Sequence, residues 1–238
     1  MIPILRAALF LLVFAVAPAW AAPAADDYGV YDLPSAQPAR AVAIIYSGDG
    51  GWQDLDKTIG EWLAAKDIHV IGISTVKQFW ETREPEQVAG DIKSMLADAD
   101  PSGTLPVMLI GYSFGANILP FAWPKLDPAI QARTPLIALL APERDTAFHV
   151  SVAGWLGLDT GSSSVTDAMQ ALPGARTLCV YGDDEADTSG CTAVAVPHMT
   201  VLAKPGGHHF DEDYVTLGRQ ILDAFDFRRT SGALAAGE

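Results

Sequence analysis

Apolar residues along this chain fall into short unbroken runs, separated by longer segments with helical spacing. Ala41–Tyr46 (AVAIIY), Ile68–Ile73, Val107–Ile110, Leu136–Leu140 (LIALL), Thr177–Tyr181 and Met199–Ala203 read as strands, several of them lacking the polar alternation of a sheet with one wet face. Between them, Asp54–Lys66 carries Leu55, Ile59, Trp62 and Leu63 on one helical face, and Pro85–Ala99 opens with a proline suited to a first turn. Phe114–Trp123 (disturbed by Pro120 and by the following Pro124), Asp127–Ala132, Val165–Leu172 and Tyr214–Phe225 complete the helices. Alternating strands and helices predict an α/β fold with a mostly parallel central sheet flanked by helices on both faces.

The ends of the chain fall outside this pattern. Met1–Arg6 carries one cation, Ala7–Ala17 is apolar, and Ala19-Trp20-Ala21 has the small-x-small form of a cleavage site. Residues 1–21 therefore read as a secretory signal peptide, and the mature protein is expected in a periplasm. Residues 22–39, rich in Ala, Pro and Asp, form an extended lead-in with room for a short edge strand; 40–227 form the domain and 228–238 a flexible tail. In an oxidising compartment Cys179 and Cys191, twelve apart, are expected to pair. Removing a leader with Arg6 and no acids takes the formal charge from −14 to −15. That charge disfavours nucleic acid as a partner and leaves a cationic ligand open.

The candidate chemistry lies where strands end. Val107–Ile110 runs into Gly111-Tyr112-Ser113-Phe114-Gly115, the nucleophile elbow of an α/β-hydrolase fold, with Ser113 raised on a sharp strand-to-helix turn. In that fold the triad follows in the order serine, acid, histidine. The base is expected from Gly206-Gly207-His208-His209: His208 is preferred, and His209 is the alternative or a substrate contact. The acid is expected from Gly182-Asp183-Asp184-Glu185-Ala186-Asp187. Asp187 is preferred, because Asp is the commoner triad acid and Cys191 anchors its loop, with Glu185, Asp184 and Asp183 as alternatives. Oxyanion donors are expected from the Phe114 N–H and from Asp49 or Gly50 in the glycine-rich turn Ser47–Trp52. Asp49, Trp52, Tyr112 and His209 are the candidate substrate contacts. Glu143–Ser164, with Phe148, Val150 and Val152 in alternation and Trp155 and Leu156 beyond, reads as a strand or a flap over the site. His69, His149 and His198 read as structural or loop residues. No cofactor and no metal is expected, since the adjacent histidines lack a ligand set beyond Asp211 and Asp213.

Three segments, SGDGGW (Ser47–Trp52), GYSFGA (Gly111–Ala116) and GGHHFD (Gly206–Asp211) with Asp213-Tyr214, together resemble the bacterial virulence protein VirJ/AcvB family in its short, single-domain form. The resemblance spans about residues 40–227. It implies a periplasmic serine hydrolase with Ser113 as nucleophile and His208 or His209 as base. It also implies an aminoacylated phospholipid, lysyl-phosphatidylglycerol, as substrate at the outer leaflet of the inner membrane. Asp49 beside an oxyanion site would oppose developing negative charge unless it faces a cation, and the lysyl ammonium is such a cation. The resemblance further associates the chain with type IV secretion and virulence, which makes secretion-system proteins the expected protein partners. The competing readings are another periplasmic esterase or thioesterase, and a non-catalytic binding protein that keeps the fold.

Overall fold

The computed structural model describes residues 28–148 and 163–235. The expected signal peptide, residues 22–27 of the lead-in, His149, and the Val150, Val152, Trp155 and Leu156 part of the expected flap lie outside the described residues. Seven strands form the main sheet: β1 (Val30–Leu33), β2 (Ala41–Tyr46), β3 (Ile68–Ile73), β4 (Val107–Tyr112), β5 (Leu136–Leu140), β8 (Thr177–Gly182) and β9 (Thr200–Lys204). Their spatial order is β1-β3-β2-β4-β5-β8-β9, and all neighbours are parallel except the edge pair β1 and β3. Two short strands, β6 (Asp145–Thr146) and β7 (Ser163–Ser164), pair antiparallel on either side of 149–162.

Burial on both faces explains the unbroken apolar runs. Val42, Ile44, Val107, Leu109, Ile137 and Leu139 point to one face and pack with Val88, Ile92 and Leu96 of α3 (Pro85–Ala99) and with Ile118 and Leu119 of α4 (Phe114–Ala122). Their chain neighbours Ala43, Ile45, Met108, Ile110, Leu136 and Ala138 take the other face. They pack with Leu55, Ile59 and Leu63 of α1 (Asp54–Ala64; the short α2, Thr75–Gln78, follows β3) and with Leu217, Ile221 and Phe225 of the last helix, Tyr214–Ala235. The chain leaves β2 towards β3, then returns across the sheet to β4. The carboxyl ends of β2 and β4 thus flank a reversal of strand order, where open α/β sheets place their ligands.

One expectation is corrected here. Trp52 is not a substrate contact. Its ring is 5% exposed, stacks on Tyr31 and fills the notch left by Gly60 and Gly72; a Cβ on Gly72 would lie 2.3 Å from it. In the stretch expected as a flexible tail, the last helix continues from Arg228 to Ala235. Arg228 fastens it to the sheet, donating to the Ala175 and Thr177 carbonyls and to Thr200 Oγ1 at 3.0, 3.2 and 2.9 Å.

The disulfide Cys179–Cys191 is present, with its Cα atoms 5.6 Å apart and both sulfurs in the core. It joins β8 to a short helix, Gly190–Ala193, and so closes the loop that carries the candidate acids. Replacing both cysteines by alanine should cost about 3 kcal/mol by the chain-entropy relation for a loop of this size, read as a lower denaturant midpoint. An unchanged midpoint contradicts a stabilising staple.

Asp56 on α1 is 1% exposed. Its Oδ2 accepts from the Gln53 N–H at 3.3 Å, while Oδ1 is buried with no hydrogen-bond partner among the described residues. Burial pushes its pKa up to about 7. The folded state therefore holds this proton more tightly than the unfolded chain. The stability that comes from it is complete below about pH 4 and lost as pH rises through about 7. Asp56→Asn keeps the cap and removes the charge. Its gain in denaturant midpoint over the parent should be larger at pH 8 than at pH 4, and an equal difference at both contradicts the buried-carboxylate account.

Candidate active site

Ser113 sits between β4 and α4 with φ 51° and ψ −115°, a conformation that non-glycine residues rarely adopt. The glycines around it let the backbones close in. A Cβ on Gly111 would lie 2.4 Å from the Gly115 carbonyl oxygen, and one on Gly115 would lie 2.2 Å from the Tyr46 carbonyl oxygen. The Ser113 N–H donates to the Leu140 carbonyl at 2.8 Å, and the Gly115 N–H to the Ser47 carbonyl at 3.1 Å. Phe114, first residue of α4, has an N–H with no acceptor within its helix.

The Ser47–Trp52 turn lies against this elbow. Gly48 faces it closely, since a Cβ there would lie 3.4 Å from Ser113 Cβ and 3.3 Å from the Tyr112 ring. The turn is held by its own carbonyl: Gly48 O accepts from the Gly51 N–H at 3.0 Å, from Ser47 Oγ at 2.9 Å, and from the Thr75 hydroxyl. Among the described residues no acceptor takes the N–H of Asp49 or Gly50, and none donates to the half-buried Asp49 carboxylate.

His208 bridges the other two groups. Its Nε2 lies 2.8 Å from Ser113 Oγ and its Nδ1 3.0 Å from Glu185 Oε2. The preference for Asp187 as the partnering carboxylate is therefore corrected. After Gly182 the chain turns into a single 3-10 turn, Asp183–Glu185, which aims the third residue at the histidine. The Thr188 and Ser189 N–H groups hold the Glu185 carbonyl at 3.0 and 2.9 Å. Asp183, Asp184 and Asp187 are exposed, and Asp187 uses only its backbone carbonyl, which accepts from the Arg144 guanidinium. The acid loop and base loop also touch directly. Gly182 lies under Gly207, where a Cβ would come within 2.2 Å of the Gly207 oxygen, and the Asp184 N–H donates to Gly206 O at 3.1 Å.

His209 is exposed and does not reach Ser113; its Nδ1 lies 3.1 Å from the Tyr112 hydroxyl. Tyr112, expected as a substrate contact, is 6% exposed and turns its hydroxyl to the histidine loop, 3.3 Å from the His208 carbonyl. That expectation is corrected too. Burial, followed by the nearby acids Asp56, Glu185 and Asp49 and the Tyr214 hydroxyl, holds the Tyr112 phenol well above its ordinary pKa. His69 pairs with Asp32 across the sheet edge at 2.6 Å, and His198 lies in a loop. Phe148 packs edge-on against Phe121, and its carbonyl accepts from the Arg83 N–H at 3.1 Å.

One further pair is not singled out by the sequence pattern. Asn117, buried in α4, accepts from the Glu143 N–H at 2.8 Å and donates to Glu143 Oε2 at 2.9 Å. It pins the turn after β5, where Ala141 has φ 51°. The signal was an amide in the otherwise apolar first turn of the elbow helix.

Glu185, His208 and Ser113 are thus connected as a carboxylate that orients an imidazole, which in turn can take a proton from a hydroxyl. Among the described residues no group of His, Cys, Asp and Glu is arranged to hold a metal.

Solved structures with this fold include a lidless α/β serine hydrolase of Xanthomonas campestris, at 15% identity and TM-score 0.56, covering 82% of this chain and 86% of that one. An esterase domain from a Rhodothermus marinus protein matches at 14% identity and TM-score 0.57, over 84% and 91% of the two chains. A soluble variant of monoglyceride lipase from Saccharomyces cerevisiae, bound to a substrate analogue, matches at 12% identity and TM-score 0.55, over 84% and 91%. These likenesses establish the α/β-hydrolase fold. No curated protein sequence matches. The family model of the bacterial virulence protein VirJ matches residues 40–229, so the chain belongs to the VirJ family.

Proposed function

We propose that this VirJ-family protein is a periplasmic serine ester hydrolase that removes the aminoacyl group from an aminoacylated phospholipid, lysyl-phosphatidylglycerol above all. The observation that carries the hydrolase reading is His208 poised between Ser113 Oγ and Glu185 Oε2 at hydrogen-bond distance from both. His208 takes the Ser113 proton as the oxygen attacks the ester carbonyl, and Glu185 stabilises the imidazolium that results. The N–H groups of Phe114 and of Asp49 or Gly50 receive the negative oxygen of the tetrahedral intermediate. His208 then protonates the departing glycerol oxygen. Water, deprotonated by the same histidine, releases the amino acid from Ser113.

Two features support the aminoacyl substrate. One is membership of the VirJ family, which the sequence resemblance links to this chemistry. The other is Asp49, a carboxylate without a donor among the described residues, one residue from the glycine that abuts Ser113. A carboxylate so placed disfavours an anionic acyl group and favours an ammonium. The periplasmic placement is supported by the leader pattern at 1–21 and by a buried disulfide.

The test is lipid mass spectrometry after incubating the purified mature protein with vesicles containing lysyl-phosphatidylglycerol. Wild type should release lysine and phosphatidylglycerol, and Ser113→Ala should release neither. Asp49→Asn should keep turnover of neutral esters and lose about tenfold in its preference for cationic aminoacyl esters. Ser113-dependent cleavage of simple esters alone would leave a hydrolase of a different substrate class, and inactivity on both would favour a binding protein.

A further inference from the structure

The loop that carries His208 runs through left-handed backbone conformations, closed in part by its own bonds from the Phe210 N–H to Gly207 O at 3.0 Å and from the Glu212 N–H to His209 O at 2.8 Å. Gly206 has φ 86°, and Phe210, Asp211 and Glu212 follow with φ 51°, 49° and 59°. Three successive L-residues on the left-handed side are unfavourable, and they persist only where surroundings fix them. The buried Phe210 side chain fixes the loop downstream, and the Asp184 N–H to Gly206 bond fixes it upstream. Between these anchors, the side chains from outside the loop that meet the histidines among the described residues are the Tyr112 hydroxyl, the Glu185 carboxylate and the Ser113 hydroxyl.

The Tyr112 hydroxyl has one proton and two neighbours: the His208 carbonyl at 3.3 Å, which can only accept, and His209 Nδ1 at 3.1 Å. Both contacts are hydrogen bonds at once in only one arrangement. Tyr112 donates to the carbonyl and accepts from His209, which requires a proton on Nδ1. With His209 protonated on Nε2 alone, one of the two contacts would set lone pair against lone pair. We propose that Tyr112 and His209 form a fixed relay, His209 Nδ1–H to Tyr112 Oη and Tyr112 O–H to the His208 carbonyl, that sets the height of His208 above Ser113. Tyr112 directly precedes Ser113, so the relay ties the base to the strand that carries the nucleophile. Its ring also fills the space beside Gly48, so one side chain touches both the base loop and the turn expected to supply an oxyanion donor. The depressed acidity of the buried Tyr112 phenol keeps the proton that the relay needs. Tyr112 and His209 are positioning residues, acting through His208.

The kinetic arm of the test rests on the hydrolase reading; the spectroscopic arm does not. In mature protein with nitrogen-15 histidine, at mildly alkaline pH, the His209 signals (identified by their loss in His209→Asn) should show a proton on Nδ1 and a bare Nε2. A proton on Nε2 overturns the relay. On a soluble ester, Tyr112→Phe and His209→Ala should each lose about tenfold in kcat, the equivalent of one hydrogen bond, with KM and the thermal midpoint close to wild type. His209→Asn, whose amide N–H takes the place of Nδ1–H, should recover most of that loss. An unchanged kcat in Tyr112→Phe, or equal losses for His209→Asn and His209→Ala, overturns the positioning role. If wild type shows no Ser113-dependent ester turnover, the hydrolase reading falls and the relay is decided by the tautomer alone.

Discussion

The site depends on a backbone crossing in which the start of α4 is pressed against the end of β2. Gly115 meets the Tyr46 carbonyl and Gly111 meets the Gly115 carbonyl at separations that leave no room for a Cβ. That closeness holds Ser113 at φ 51° and lets the Gly115 N–H reach Ser47, the first residue of the glycine-rich turn. The Ser113 N–H reaches β5 at the same point. Three strand ends are thereby fixed around one hydroxyl. A side chain at Gly111 or Gly115 would force α4 off the sheet, and the loops placed relative to Ser113 would lose their common reference.

Those loops are fixed by unlike means. The acid loop is closed by Cys179–Cys191, held at the Glu185 carbonyl by two N–H groups, and laid against the base loop where Gly182 meets Gly207. The base loop adopts a left-handed turn anchored by buried Phe210. The turn after β5, strained at Ala141, is pinned by Asn117 and Glu143. At Ala141 and in the base loop an unfavourable local conformation is offset by contacts made elsewhere, and all three loops are ordered before a substrate arrives.

Much of the scaffold was legible because its signals are local. Ala41–Tyr46, Ile68–Ile73 and Leu136–Leu140 are strands with the bounds their apolar runs imply, and Pro85 opens α3 as its ring geometry requires. The elbow was legible because its glycines answer a steric demand within five residues. Glu185 was not. Choosing among the carboxylates after Gly182 depends on the direction in which the 3-10 turn carries the chain, and residue type does not encode that. Trp52 misled because the notch it fills is made by Gly60 and Gly72, which its own neighbours do not reveal. The last helix outran its sequence signal because Arg228 docks on the ends of two strands, overriding the weak helix formers that follow it.

The proposed function turns on activation of Ser113 by His208 under the control of Glu185. The most direct measurement is the rate at which a fluorophosphonate modifies the protein, with the adduct located by peptide mass spectrometry. One adduct is expected, on Ser113, formed about a hundredfold more slowly in Glu185→Gln and at nearly the wild-type rate in Asp187→Asn. Labelling elsewhere, or the reverse order of the two carboxylate variants, would contradict it.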